Sequence, residues 1–278
     1  MNAVRPVRTG EQVVTPEPLI TIKSAAKVYG QNRGLSPLSL GINAGERVAL
    51  VGPSGSGKTT LLRLLAGSLV ADGGAGAVRI DGRAPASLRP GPELAGLVGI
   101  VSQRFDLVPH LPALHNVLAG RLGYWSLARS VASLVWPLER RAARDALAQV
   151  GLADKINERP AHLSGGEQQR VAIARMMMQS PLVVLADEPV ASLDPARAEE
   201  VMELLVGLTA AQNRTLIASL HTASLIRRHF TRVIGLRESR LQFDLPGEQL
   251  TDGILGELYD LGAGEDMEPL AGLAARDG

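Results

Sequence analysis

An α/β fold around a parallel sheet is what this 278-residue chain predicts, on three observations. Val48-Ala49-Leu50-Val51 is an apolar run that ends in the glycine-rich loop Gly52-Pro53-Ser54-Gly55-Ser56-Gly57 and leads through Lys58, Thr59 and Thr60 into Leu61, Leu62, Leu64 and Leu65. Its order is strand, loop, helix. Leu182–Ala186 is a second unbroken apolar run, closed by Asp187 and Glu188, and Thr215–Leu220 reads as a further buried strand, closed by His221. Apolar strands without alternation belong to a sheet covered on both faces, and such sheets hold ligands at the C-terminal ends of their strands.

The loop carries the most chemistry. Gly52, four free positions, Gly57, Lys58 and Thr59 fit G-x-x-x-x-G-K-[ST], between the strand and helix that this motif requires. Glycines let successive N–H groups of Gly52–Thr60 turn toward one phosphate, and the helix adds its positive end. Lys58 suits the β and γ phosphates, and the Thr59 hydroxyl suits Mg²⁺.

Composition narrows the other classes. A formal charge of +1 leaves no basic excess for nucleic acid. The absence of cysteine removes disulfides, thiolate zinc sites and cysteine nucleophiles, and fits a reducing cytoplasm. No apolar run reaches the length of a membrane span, and Met1–Pro16 has no signal-peptide core. Membrane association is therefore expected through a partner.

In chain order, residues 1–18 read as a flexible tail and order begins near Leu19. Leu19–Ile22 starts a strand, Lys27–Gly30 ends one, and a turn is expected through Asn32, Arg33 and Gly34. Leu38–Ile42 and Arg47–Val51 are strands joined by Asn43-Ala44-Gly45, with Ala77–Ile80 expected as their partner. Val98–Ser102 is a buried strand that stops at Gln103. From about 104 to 180 the periodicity is helical, in Leu114–Leu122, Arg140–Val150 and Gly166–Met178. Trp125 and Trp136, between them, are expected to fill core. Ser164 and Glu167 have capping-box spacing, which accounts for both, although the double glycine at this helix start also suits an anion. Asp187 is placed to hold Mg²⁺ and Glu188 to face a γ phosphate. Asp194 is expected as an N-cap with Pro195 behind it. Val233–Leu236 and Arg240–Phe243 form a hairpin around Glu238-Ser239, Leu250–Leu261 is a final amphipathic segment, and residues 262–278 read as a second tail.

Taken in order and spacing, Gly52–Thr59, Gln103, Leu163–Arg170, Leu185–Glu188, Ser192–Asp194 and His221 resemble the motifs of an ABC transporter ATP-binding subunit. The string Leu163-Ser164-Gly165-Gly166-Glu167-Gln168-Gln169-Arg170 is the most specific of them. The resemblance implies a RecA-like P-loop NTPase core with an antiparallel β subdomain and a helical signature subdomain, one ATP-binding domain over 19–261, and ATP with Mg²⁺ as ligands. It also implies roles. Lys58, Gln103, Glu188 and His221 are expected in catalysis, with Thr59, Gln103 and Asp187 around Mg²⁺ and Tyr29 stacked on adenine. Leu163–Gln168 would meet the ATP of a second copy, and Ser192, Leu193 and Asp194 would form the D-loop.

A narrower resemblance, to phosphonate-import ATP-binding subunits, rests on Asn116–Gly123, Ala186–Pro195, Val233–Arg237, Phe243-Asp244 and Leu250–Asp252. It departs at Glu167, Thr222 and Leu245, where Gln, Gln and Gly are usual, so phosphite and hypophosphite importers are a second expectation. The implied partners are a second copy, membrane permease subunits and, through them, an extracytoplasmic solute receptor, at the cytoplasmic face of the inner membrane. A soluble ATPase acting on DNA or ribosomes fits poorly, since the chain lacks heptads, cysteines and a second cassette.

Overall fold

A computed structural model describes residues 17–102 and 106–259. Its strands and helices, in chain order, begin with β1 (Ile20–Tyr29), β2 (Asn32–Ile42), β3 (Arg47–Val51), α1 (Lys58–Leu65) and β4 (Val78–Ile80). They continue with α2 (Pro92–Leu97), β5 (Val98–Ser102), α3 (Ala113–Leu118), α4 (Leu127–Val135), α5 (Arg140–Gln149) and α6 (Gly165–Gln179). The last third holds β6 (Val183–Asp187), α7 (Pro195–Ala211), β7 (Thr215–Ser219), α8 (Ala223–His229), β8 (Arg232–Arg237), β9 (Arg240–Pro246) and α9 (Asp252–Tyr259).

Two sheets organise these elements. The larger runs β5-β6-β7-β3-β8-β9, parallel throughout except for β9, which pairs antiparallel with β8. The smaller is antiparallel, β2-β1-β4. Each central strand divides its side chains between two cores, as a period of two requires. Val48, Leu50, Val183 and Leu185 pack with Leu61, Leu64 and Leu65 of α1 and with Ile20 and Ile22 of the small sheet. Ala49, Val51, Val184 and Ala186 pack on the other side, where α6, α7, α8 and α9 supply Ile173, Met202, Ile226 and Leu255. Burial on both faces is why these strands read as unbroken apolar runs.

Local signals set the boundaries. Asp194 accepts the Arg197 N–H at 3.1 Å, and Pro195 follows it to start α7. Ser164 caps α6, with Glu167 completing the capping box. Glu238 and Ser239 both take positive φ, 50° and 62°, closing the β8–β9 hairpin where expected. No helix among the described residues is long and apolar enough to cross a membrane.

Five expectations need correction. The first turn falls at Gly30-Gln31, and Asn32, Arg33 and Gly34 lie inside β2, where Asn32 and Arg33 pair with Tyr29 and Val28 at the end of β1. Val78–Ile80 pairs with β1, not with Leu38–Ile42 or Arg47–Val51; β1 is left as the middle strand because β3 is taken up between β7 and β8. The helix from Ala113 stops at Leu118 and tightens into a 3₁₀ turn over Ala119–Arg121, because Gly120 packs against the Arg175 carbonyl too closely for any Cβ. Pro18, read as tail, packs over Gly41. The rest of both expected tails, with Leu261, lies outside the described residues.

The fifth correction concerns α4. Trp125 is partly buried against the core with Arg129 over its ring at 5.1 Å, but Trp136 is 76% exposed. Leu127 and Val135 are 82% and 83% exposed, and Val131 and Leu134 also face outward, while Ser133 is the helix's buried residue. The amphipathic pattern is present and inverted. An apolar helix face turned outward marks a contact surface.

Candidate functional site

The parallel strands deliver Gly52, Asp187, Glu188 and His221 to one edge of the large sheet. Register makes this so. Ala186 and Asp187 of β6 lie abreast of Ala218 and Ser219 of β7, which lies beside β3.

Gly52 follows β3 with φ 143°, and a Cβ there would overlap the Leu236 carbonyl of β8. Gly57, at φ 104°, would place one 2.8 Å from the Gly34 carbonyl. Both positions therefore require glycine. The loop curls so tightly that Lys58 folds back over it, its ammonium donating to the carbonyls of Gly52 at 2.6 Å and Pro53 at 3.0 Å. Burial lowers the Lys58 pKa, opposed by the nearby Glu188 and Asp187 carboxylates. The Ser56 hydroxyl is buried without a partner. A buried ammonium, an orphaned hydroxyl and the N-terminus of α1 make a cradle suited to an anion.

Thr59 donates to Asp187 Oδ2 at 3.2 Å, joining the helix start to the end of β6. These are two hard oxygen donors beside a phosphate cradle. Among the described residues, no group of three or more His, Cys, Asp or Glu gathers into a metal cage. The donor set fits Mg²⁺, which is held by one or two protein oxygens plus substrate phosphates and water. Ser102, at the end of β5, lies abreast of Asp187. Gln103 itself lies outside the described residues.

Glu188 takes φ 48°, a left-handed conformation that costs a non-glycine residue energy and that clusters at functional sites. Its carboxylate meets His221 Nε2 at 2.8 Å. That hydrogen bond, ahead of the opposing effect of burial, holds the Glu188 pKa below the ordinary carboxylate value. Ser219 braces the pair. Fully buried, its hydroxyl accepts the Glu188 N–H at 2.8 Å and donates to Asp187 Oδ1 at 2.7 Å. Sequence reasoning passed over Ser219, although a serine in an otherwise apolar strand, two residues before His221, was a visible signal.

Tyr29 stands at the end of β1, about half exposed. A Cβ on Gly34 would lie 2.5 Å from its ring and 3.3 Å from the Thr60 hydroxyl, so the missing side chain leaves the ring beside the start of α1. The motif at Leu163–Gln168 is differently placed. The hydrogen bonds of its side chains are internal: Ser164 N–H to Glu167 Oε2 at 2.8 Å, Glu167 N–H to Ser164 Oγ at 3.4 Å, and Gln168 Nε2 to the Leu163 carbonyl at 3.0 Å. Donation from Ser164 lowers the Glu167 pKa. Leu193, between Ser192 and Asp194, lies 3.5 Å from where a Gly165 Cβ would be, so this helix start adjoins the turn after β6. Among the described residues no hydrogen bond links Leu163–Gln168 to the phosphate cradle.

A phosphate loop on β3, acids at the tip of β6 and a histidine after β7, beside a helical layer that starts at Ser164, define a nucleotide-binding cassette. The sequence profile of the ABC transporter family matches residues 35–191, and the chain belongs to that family. It is 48% identical over 261 residues to the phosphonates import ATP-binding protein PhnC of Anaeromyxobacter dehalogenans; these residues are 94% of the chain but 52% of that protein, so the chain spans about half of its length. It is 46% identical over 229 residues to the phosphonates import ATP-binding protein PhnC 2 of Pseudomonas aeruginosa, covering 82% of the chain and 85% of the relative. Among solved structures, the bacterial ABC transporter cassette MJ0796 in its dimeric form matches with TM-score 0.69 and 32% identity over 83% of this chain and all of the other. The same cassette as a post-hydrolysis dimer bound to ADP and Pi gives 0.68 and 30%, with the same coverage.

Proposed function

We propose that the chain is the ATP-hydrolysing subunit of an importer that drives phosphonate uptake, working as two copies against membrane permease subunits. The convergence of Lys58, Thr59, Asp187, Glu188 and His221 at one sheet edge carries the reading, and the names of the relatives point to the cargo. In this reading the loop Gly52–Thr60, through N–H groups beyond Pro53, and the Lys58 ammonium hold the β and γ phosphates, and Tyr29 stacks on adenine. Thr59, Asp187 and Gln103 hold Mg²⁺, which supplies charge neutralisation across those phosphates. Glu188 is the group that takes the proton of the attacking water, and His221 donates to the γ phosphate. The Lys58 ammonium already lies over the loop, on two carbonyls that it exchanges for the phosphates, so its charge is in place before the substrate arrives. That is electrostatic preorganisation, the largest contribution in such reactions.

One copy has no second wall for this site. Among the described residues the side chains of Leu163–Gln168 make only internal hydrogen bonds, and two copies arranged head to tail would set each Ser164 helix start against the other's ATP, with Ser192–Asp194 between. The outward apolar face of α4, in the helical layer after Gln103, supports a permease contact there and a peripheral place on the cytoplasmic side of the inner membrane. A solute receptor outside the membrane would act through the permease.

The test is reconstitution of the chain with its neighbouring permease and receptor in vesicles. ATP hydrolysis should rise when phosphonate is added with the receptor. Stimulation by phosphite alone would reassign the cargo, and no stimulation by any oxyanion would remove the transport role.

A further inference from the structure

The C-terminal helix α9 returns to the site through one residue. The Tyr259 phenol oxygen lies 3.1 Å from the Gly52 nitrogen and 3.4 Å from His221 Nδ1, and the two rings are 6.4 Å apart with their planes 58° from parallel. Its placement is built. Leu255 and Leu258 are buried in the core beneath the large sheet, and Arg237, at the end of β8, donates to the Glu257 carbonyl at 2.9 Å in the last turn of α9.

The proton inventory then decides His221. A phenol has one proton and accepts at its oxygen; the Gly52 N–H can only donate, so it takes up an acceptor site and leaves the phenol proton for Nδ1. On the other side, His221 Nε2 lies 2.8 Å from the Glu188 carboxylate, which has no proton to offer. With the proton on Nδ1, a lone pair on Nε2 would face that carboxylate. With it on Nε2, both hydrogen bonds are made at once. A doubly protonated ring would leave the phenol oxygen accepting from two donors with its own proton unplaced. Burial raises the Tyr259 pKa, so the phenol keeps that proton at neutral pH.

We propose that Tyr259 is a positioning residue that fixes His221 as the neutral tautomer with its proton on Nε2, aimed at Glu188 and the phosphate side of the site. The relay Gly52 N–H, Tyr259, His221, Glu188 ties the phosphate loop and the tip of β6 to the end of α9. Its catalytic consequence rests on the roles proposed above for Glu188 and His221; the tautomer itself does not.

The experiment is nitrogen-15 NMR of the histidine side chains in the full chain, with His221 assigned by the resonance lost in His221→Gln. The wild type should show Nδ1 unprotonated and Nε2 protonated near neutral pH. A proton found on Nδ1, or on both nitrogens, overturns the proposal, and this holds even if Tyr259→Phe does not fold. In Tyr259→Phe the Nδ1 shift should move and the two tautomers should mix. Its kcat for ATP should fall roughly tenfold or more, a larger change than in KM, which shifts only as far as the Gly52 N–H misses its acceptor. Unchanged histidine resonances in that variant also overturn it, whatever the activity. If the tautomer moves while hydrolysis is indifferent to His221→Gln, the positioning claim stands and the catalytic role of His221 is what fails.

Discussion

The Ser219 hydroxyl sits between Asp187 and Glu188, accepting from the Glu188 N–H and donating to the Asp187 carboxylate, so one buried atom of β7 orients the last residue of β6 and the acid that follows it. Ser219→Ala removes both hydrogen bonds of a fully buried hydroxyl, at a cost of about 1–3 kcal/mol. The expected result is a lower urea midpoint and a kcat reduced about tenfold, since Glu188 is held in its left-handed conformation partly by this contact. Urea titration and steady-state ATP hydrolysis on one preparation check both.

Glu188→Gln keeps the volume and the His221 contact and removes the base. Hydrolysis should fall by roughly 10²–10⁴-fold, while ATP binding, followed with a fluorescent analogue, stays near wild type. Wild-type turnover in this variant would take Glu188 out of the reaction.

Glu167 gives a pH signature in stability. Its pKa is held below 4.5 by donation from the Ser164 backbone, so its contribution is complete above the unfolded-state value and fades as pH falls through the lower folded-state value. A glutamine can also close the capping box, so Glu167→Gln should cost under about 1 kcal/mol at pH 7. Measured by urea unfolding, its deficit against wild type should shrink below pH 4.5; a gap that grew with acid would reverse the sign.

Gly52→Ala tests the phosphate loop's approach to β8. The added Cβ meets the Leu236 carbonyl, which is backbone and cannot rotate away. The loop must shift, and ATP affinity should fall at least about tenfold through lost alignment of the N–H groups, as isothermal titration would report.

Much of this site was legible because its parts are local. Gly52–Thr59 states its own conformation, and the runs ending at Asp187 and His221 announce buried strands by being apolar at nearly every position. What stayed hidden is non-local. Nothing near Val78 says that its partner is β1, because that depends on which sheet takes β3. Nothing near Tyr259 says that it reaches Gly52, 207 residues earlier. Trp136 differs from expectation for another reason: an aromatic side chain is apolar whether it fills a core or a contact surface, and α4, which Trp136 ends, turns its apolar face outward with a serine inside.

That outward face makes a prediction of its own. Val135→Ser with Trp136→Ser touches little in the subunit, so stability should stay within about 0.5 kcal/mol per substitution. Co-purification with the permease should be lost. Retained co-purification would remove α4 from the contact.

The central claim, that each site is shared between copies, is tested most directly by mixing two inactive variants. Lys58→Ala loses its phosphate loop and Ser164→Arg loses its signature, and neither hydrolyses ATP alone. In head-to-tail pairs, one mixed site joins the intact loop of the Ser164→Arg chain to the intact signature of the Lys58→Ala chain, so mixing should restore hydrolysis. If the mixture stays as inactive as its components while mixed dimers are present, the sites are not shared.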